Sequence, residues 1–262
     1  MYKTDEFFDI LQEFAPMSIE EILLANGEYD NSGIIVRSHD DINCVLFSLD
    51  LSKEAVRQAK KVKADTIVTH HPAIYKPIKN IDFSDTATSA LLEAIKSGFN
   101  VISMHLNLDY AEDGIDANLC KALGGTKYRL IDMIDEKHGY GRLFPAPDKT
   151  LGEFAKRVRA SFGKKVLVYG NPKSEITEVA SFCGGGSGYA IEGVKDGRVS
   201  ADVIVTSDAP HHVIKELVEY GKKLIFIPHY AGEEVGFKAF YEKVKEKCKR
   251  VNAYYFKDKR FI

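Results

Sequence analysis

Long apolar runs, paired cysteines and an excess of either charge are all missing from this chain of 262 residues. No apolar run approaches the ~20 residues that span a bilayer, which excludes an ordinary transmembrane helix. The four cysteines, Cys44, Cys120, Cys183 and Cys248, lie far apart with no C-x-x-C pair. That argues against a disulfide framework or a thiolate zinc site and fits a reducing compartment. A net charge of −2 removes the electrostatic case for non-specific nucleic-acid binding. The opening residues, Met1 to Glu6, lack the basic start and apolar core of a signal peptide, so a cytoplasmic protein is predicted. What remains is ordinary globular composition, 45% apolar and 28% charged, in a length that suits one large domain or two smaller ones.

Strand and helix patterns alternate along the chain, which predicts an α/β fold with mainly parallel pairing. Residues 4–14 read as an amphipathic helix with Thr4 as N-cap, stopped by Pro16. Strands follow at 34–36 and 44–49, and Ser52 caps the next helix. Residues 126–150, with Pro145 and Pro147, read as an irregular crossing segment. The predicted organisation is therefore a first α/β half over 1–125, completed by the C-terminal segment, a crossing segment over 126–150, and a second α/β half over 151–262. No inserted middle domain has room between the halves.

The first half is organised around Asp65-Thr66-Ile67-Val68-Thr69-His70-His71-Pro72. Its β-branched run reads as a short buried strand, and Pro72 prevents the strand from continuing. His70 and His71 thus stand outside the carboxyl end of a sheet strand, where α/β proteins place binding groups. The stretch Ala64-Asp65-Thr66-Ile67-Val68-Thr69 returns as Ala201-Asp202-Val203-Ile204-Val205-Thr206, five of six positions being identical. Each copy is followed by a histidine and an acid four residues apart: His105 and Asp109, then His229 and Glu233. An internal duplication is predicted.

His70, His71, Asp109, His229 and Glu233 offer three imidazoles and two carboxylates. Such a set suits zinc, iron(II), manganese, cobalt or nickel and is too nitrogen-rich for calcium. His105 is either a direct ligand or a support for one. Asp208 and His212 are either an N-cap and a surface histidine or supports for ligands. His39 and His138 read as loop histidines. The loop Gly184-Gly185-Gly186-Ser187-Gly188 lacks the Lys-Ser/Thr ending of a P-loop, so a tight packing turn is the better reading than a phosphate cradle.

The ordered motifs Asp30-Asn31-Ser32-Gly33, Ser48-Leu49-Asp50, Thr69-His70-His71-Pro72, His105-x-x-x-Asp109, the Gly184–188 loop, Thr206-Ser207-Asp208 with His212, and His229-Tyr230-x-x-Glu233 resemble a known family. It is the dinuclear-metal-centre hexameric family of GTP cyclohydrolase 1 type 2 homologues (Nif-three-like proteins), and the resemblance covers nearly the whole chain. It implies two similar α/β domains and a toroidal homohexamer built as a trimer of dimers. It also implies two divalent metal ions per subunit, zinc or iron foremost, held by His70, His71, Asp109, His229 and Glu233. The function so implied is metal-dependent hydrolysis of an unknown small molecule, nucleotide or pterin-like, with Glu233, His105 and His212 as the catalytic candidates. The alternative is a non-catalytic metal-binding, trafficking or scaffold protein, with no membrane partner and no nucleic-acid partner in either case. This chain departs from the family in having Ser207 where glycine is usual and Pro228 before His229.

Overall fold

A computed structural model, which describes residues 1–261, divides the chain into two compact α/β units. The first comprises Met1–Leu108 with Phe237–Arg260, and the second Asp109–Gly236 with Phe261. In chain order the elements of the N-terminal part are β1 (Tyr2–Lys3), α1 (Thr4–Gln12), α2 (Met17–Ala25), β2 (Gly33–Val36), β3 (Asp41–Ile42), β4 (Cys44–Ser48), α3 (Lys53–Lys61), β5 (Thr66–Thr69), α4 (Ser89–Lys96), β6 (Asn100–Ser103) and α5 (Leu106–Tyr110). There follow α6 (Ile115–Ala122), β7 (Arg129–Met133), β8 (Gly139–Pro145), α7 (Leu151–Phe162), β9 (Leu167–Tyr169), β10 (Glu178–Ser181), α8 (Ser187–Lys195), β11 (Val203–Thr206), α9 (His211–Glu219), β12 (Lys223–Phe226), α10 (His229–Lys247) and β13 (Asn252–Phe256). Among the described residues no helix is long and apolar enough to cross a membrane.

The first unit is built on a sheet of order β13-β4-β5-β6-β2, parallel except for β2. Its inner strand β4 is buried along its whole length, and successive side chains serve opposite faces. Leu46 packs with Val56, Ala59, Ile67 and Val101, under the apolar stripe of α3. Phe47 meets Phe237, Phe240 and Tyr241 of α10 at ring-centroid distances of 6.2, 6.1 and 5.3 Å. Those residues recur with Val244 and Cys248 at three- and four-residue steps, and all five are buried, as an amphipathic helix requires. Of the basic residues between them, Lys238, Lys245 and Lys247 are exposed and Lys243 is half-buried. Ser52 caps α3 as expected, its hydroxyl accepting from Ala55 N at 3.1 Å.

The second unit has a sheet of order β7-β8-β10-β11-β12-β9. Its three strands β10, β11 and β12 are parallel, and β7, β8 and β9 add antiparallel edges. The duplication expected from sequence is present in the hydrogen bonding itself. Asp65 Oδ2 accepts from the backbone of Asn43 and Cys44 at 2.8 and 3.2 Å, and Asp202 Oδ2 accepts from Thr177 and Glu178 at 2.7 and 3.2 Å. Leu49 O accepts from the N–H groups of His70 and His71, and Gly184 O from those of Ser207 and Asp208. Met104 N donates to Thr69 O as Ile227 N donates to Thr206 O. In this backbone register His105 corresponds to Pro228, so the two His-x-x-x-acid pairs are one residue out of step.

Three expectations are corrected. Thr4 is not a cap: it is the first residue of α1, buried, and its hydroxyl donates to His39 O at 3.2 Å. Residues 17–25, unassigned from sequence, form α2 directly after Pro16. Within 126–150, read as irregular, β7 and β8 form a hairpin on the sheet edge. Strand β8 hides from pattern reading because it is buried on both sides, contains Gly139 and Gly141, and carries the fully buried Arg142.

Candidate metal centre

In the first unit, β5 ends at Thr69, whose hydroxyl lies 2.8 Å from both Ser103 Oγ and His71 O. The next two residues put their imidazoles at the carboxyl edge of the sheet, and β6 delivers His105 beside them. His70, His71 and His105 each offer a ring nitrogen, and these atoms all lie within 4.8 Å of one another. The three rings are also in mutual contact, with centroids 4.9 to 5.8 Å apart.

Each ring is oriented by an oxygen on its Nδ1. His70 Nδ1 is 2.8 Å from Met104 O, His71 Nδ1 is 2.7 Å from Asp50 Oδ1, and His105 Nδ1 is 2.6 Å from Asp30 Oδ1. A carbonyl or carboxylate oxygen can only accept, so Nδ1 carries a proton, and the neutral form of each ring has its lone pair on Nε2. That is the tautomer of a metal-ligating histidine with its supporting oxygen. Asp30 is fully buried at its side chain. Burial pushes its carboxyl up, but hydrogen bonds from His105 and Ser32 outweigh burial and hold it below the usual carboxylate range. Asp30 also fixes the approach of His105 through Ser32, whose hydroxyl lies 2.7 Å from Asp30 Oδ2 and 3.0 Å from His105 N.

In the second unit, α10 opens with His229, and Glu233 follows one turn later on the same face. Their Nε2 and Oε1 atoms are 2.9 Å apart. His229 Nδ1 is hydrogen-bonded to Asp208, so a neutral ring would aim a lone pair at the Glu233 carboxylate. Only a proton or a metal cation makes that approach favourable. Pro228 does not disturb the helix: its carbonyl accepts from Gly232 N at 2.9 Å. Asp109 on α5 is buried, with Cys183 Sγ 3.4 Å from its Oδ1. Burial and the neighbouring carboxylates Asp109, Asp116 and Glu233 push the Cys183 thiol well above its usual range, so it is a thiol rather than a thiolate.

The glycine loop is a packing turn. Gly184 has φ +54°, and a Cβ there would stand 2.5 Å from Glu233 Oε1. A Cβ on Gly186 would meet Phe182 Cβ and Tyr140 Oη, each at 2.5 Å. The backbone is thereby brought against the Glu233 carboxylate, which a bulkier residue would displace.

Within the first unit the structure therefore brings together His70, His71 and His105, and within the second His229 and Glu233. Asp208 is not an N-cap, a position that Pro210 takes on α9; it holds His229. His212 is exposed in the first turn of α9. His39 Nε2 donates to Asp65 O, 3.0 Å away, and His138 pairs with Asp135 at 2.8 Å. Sequence reasoning assigned no role to Asp30 and Asp50, although both lie in motifs it singled out. Their partners are 75 and 21 residues away, and only the fold brings them together.

These donors fit divalent borderline metals, being imidazoles held at Nδ1 and carboxylates. A family model described as Duf34/NIF3 (NGG1p interacting factor 3) matches residues 2–259. A protein of Clostridium perfringens called GTP cyclohydrolase 1 type 2 homolog is 28% identical over 250 residues, covering 94% of this chain and 92% of its own. NIF3-like protein 1 of Drosophila melanogaster is 25% identical, covering 87% of this chain and 76% of its own. The crystal structure of a Bacillus cereus protein related to NIF3 superposes with a TM-score of 0.87 at 18% identity, covering 98% of this chain and 97% of that one, and so shares the fold. With its match running almost end to end, the chain belongs to the Duf34/NIF3 family.

Proposed function

We propose that the chain is a cytoplasmic metal-dependent hydrolase of a small nucleotide or pterin-like molecule. Its centre is dinuclear, held by His70, His71, Asp109, His229 and Glu233, with His105 beside it. The observation that carries this reading is the set of three histidines in the first unit, each with Nδ1 held by an oxygen and each with a ring nitrogen within 4.8 Å of the others'.

Chain continuity supports the wider ligand set. Asp109 follows His105 by four residues, on the short helix α5. Glu233 and His229 precede Phe237 by one and two turns of the single helix α10, about 6 and 12 Å along its axis. Phe237 packs on the His70 ring at a centroid distance of 6.0 Å.

When bound, two divalent ions of zinc or iron, or of manganese, cobalt or nickel, would supply Lewis acidity and activate water at neutral pH. The chain's own residues do the rest. Asp30, Asp50 and Asp208 fix the rings of His105, His71 and His229 and so the direction of their lone pairs. His105, 16% exposed at its side chain and anchored on Asp30, is placed to hold or move a proton. His212 is the second candidate for proton transfer, exposed on α9. Tyr75, with its ring 5.9 Å from His105 and 5.5 Å from Tyr29, offers a partly exposed face on which a planar substrate ring can stack.

The test is metal analysis and turnover of purified protein, with His70→Ala and Glu233→Ala beside the wild type. Two equivalents of metal per chain, loss of metal in both variants and turnover of a nucleotide or cyclic phosphodiester are expected. The same preparation should sediment as a homohexamer, a trimer of dimers. Full occupancy without turnover across a broad panel would instead establish a metal-binding or scaffold protein.

A further inference from the structure

Cys183 is pinned at all three of its polar points. Its N–H donates to Asp116 Oδ1 at 3.0 Å. Its carbonyl accepts from the Tyr140 hydroxyl. Its thiol lies 3.4 Å from Asp109 Oδ1. Asp116 is in turn paired with Arg142 Nη1 at 3.0 Å, with both side chains fully buried. Tyr140 is held between Tyr110 and Tyr189, at centroid distances of 5.2 and 5.0 Å. The next residue, Gly184, sets its backbone against Glu233 Oε1 and His229 Nε2, as close as 2.5 and 3.4 Å to where a Cβ would stand. A buried, immobilised thiol and the peptide after it therefore touch both carboxylates of the second unit's donor set.

We propose that Cys183 is a positioning residue for the metal-binding carboxylates. Its S–H donates to Asp109 Oδ1 and so fixes the orientation of that carboxylate, while the Cys183-Gly184 peptide sets the rotamer of Glu233. The Tyr140 hydroxyl anchors that peptide through the Cys183 carbonyl, and the Asp116–Arg142 pair anchors the peptide before it through Cys183 N. The inference rests on the dinuclear reading above and deepens it. It assigns the loop at 183–188 a part in orienting the two carboxylates, with no contact between sulfur and metal.

Three variants test it. Cys183→Ala and Cys183→Val remove the donor, one leaving space and the other filling it, and Cys183→Ser restores a donor. Zinc and cobalt(II) affinities are read by competition with a chromophoric chelator, cobalt geometry by its visible d–d bands, and folding by circular dichroism of the metal-free proteins. The Ala and Val variants should lose roughly 10- to 100-fold in affinity at one of the two sites, the usual cost of removing a ligand's supporting partner, while Ser stays within about threefold of wild type. Their d–d bands should shift together, and that of Ser should stay. Wild-type affinity in both Ala and Val would overturn the proposal, as would an equal loss in Ser, which would mark a packing effect. An intense thiolate-to-cobalt charge-transfer band in the wild type would overturn it too, by making Cys183 a ligand. Failure of the wild type to bind either metal sinks the dinuclear reading itself, a result distinct from these. Should Cys183→Ala not fold, Cys183→Val against Cys183→Ser decides.

Discussion

Arg142 is completely buried, and its guanidinium is shared among Asp116 Oδ2 at 3.0 Å, Gly139 O at 2.8 Å and the ring of Tyr128 at 5.2 Å. A charge in that position is tolerable only while its carboxylate partner remains. Asp116 does more than pair with it, since its other oxygen holds the Cys183 peptide. Substituting Asp116→Asn removes the charge but leaves the shape, and strands the guanidinium in the interior. The expected cost is about 3–5 kcal/mol in urea unfolding, with the double variant Asp116→Leu/Arg142→Met regaining most of it. An Asp116→Asn protein as stable as wild type would show that Arg142 finds compensation elsewhere. The metal affinity of the same variant should fall too, because the loop that touches Asp109 and Glu233 loses its anchor.

At the scale of elements, the repeat is carried by two aspartates as much as by strands. Asp65 and Asp202 each precede a buried parallel strand and tie it to the residues before its neighbour, β4 or β10. Hydrogen bonds to a charged acceptor contribute roughly 1.5–3 kcal/mol each when well formed. Burial raises the Asp202 carboxyl, but donors from Thr177 and Glu178 outweigh it and leave the group below its usual range. A depressed carboxyl stabilises the fold above the unfolded pKa of about 4 and loses that contribution as pH falls through the lower folded value. Asp202→Asn should therefore cost about 1–2 kcal/mol at pH 7. The gap from wild type should narrow once the pH drops below about 4, read by urea midpoints across the series. A gap that is constant with pH would mean the charge does nothing.

The same aspartates explain what could be read beforehand. The two copies of Ala-Asp-x-Ile-Val-Thr are local, so their strands β5 and β11, and the histidines after β5, stood out in the sequence. The hairpin of β7 and β8 did not, because a strand buried on both faces around an arginine has no alternation. The pairings of Asp30 with His105 and of Asp50 with His71 likewise leave no local trace, since each is a meeting of loops made by the sheet. The out-of-step His-x-x-x-acid pairs show the limit of analogy between the halves: the strands repeat, and the chemistry at their ends is laid out anew.

For the whole molecule, the chain leaves the first unit within α5 and returns to it within α10. Three of the five proposed ligands lie beside these crossings along the chain, Asp109 on α5 and His229 and Glu233 at the start of α10. Metal held by the proposed set would bind the folded chain and not the unfolded one, and would therefore raise apparent stability by mass action. At a free-metal concentration a hundred times the dissociation constant the contribution is ~2.7 kcal/mol. For a chain of 262 residues that corresponds to roughly 5–10 °C in midpoint. Stripping the protein with a chelator should lower the melting midpoint by that amount, and restoring zinc or iron(II) should return it. His70→Ala and Glu233→Ala should melt at the stripped midpoint whether or not metal is added, because each removes a donor from opposite ends of the proposed set. A midpoint indifferent to chelator in the wild type, measured on protein shown by elemental analysis to start with metal bound, would mean that the metal sits elsewhere than on these crossings.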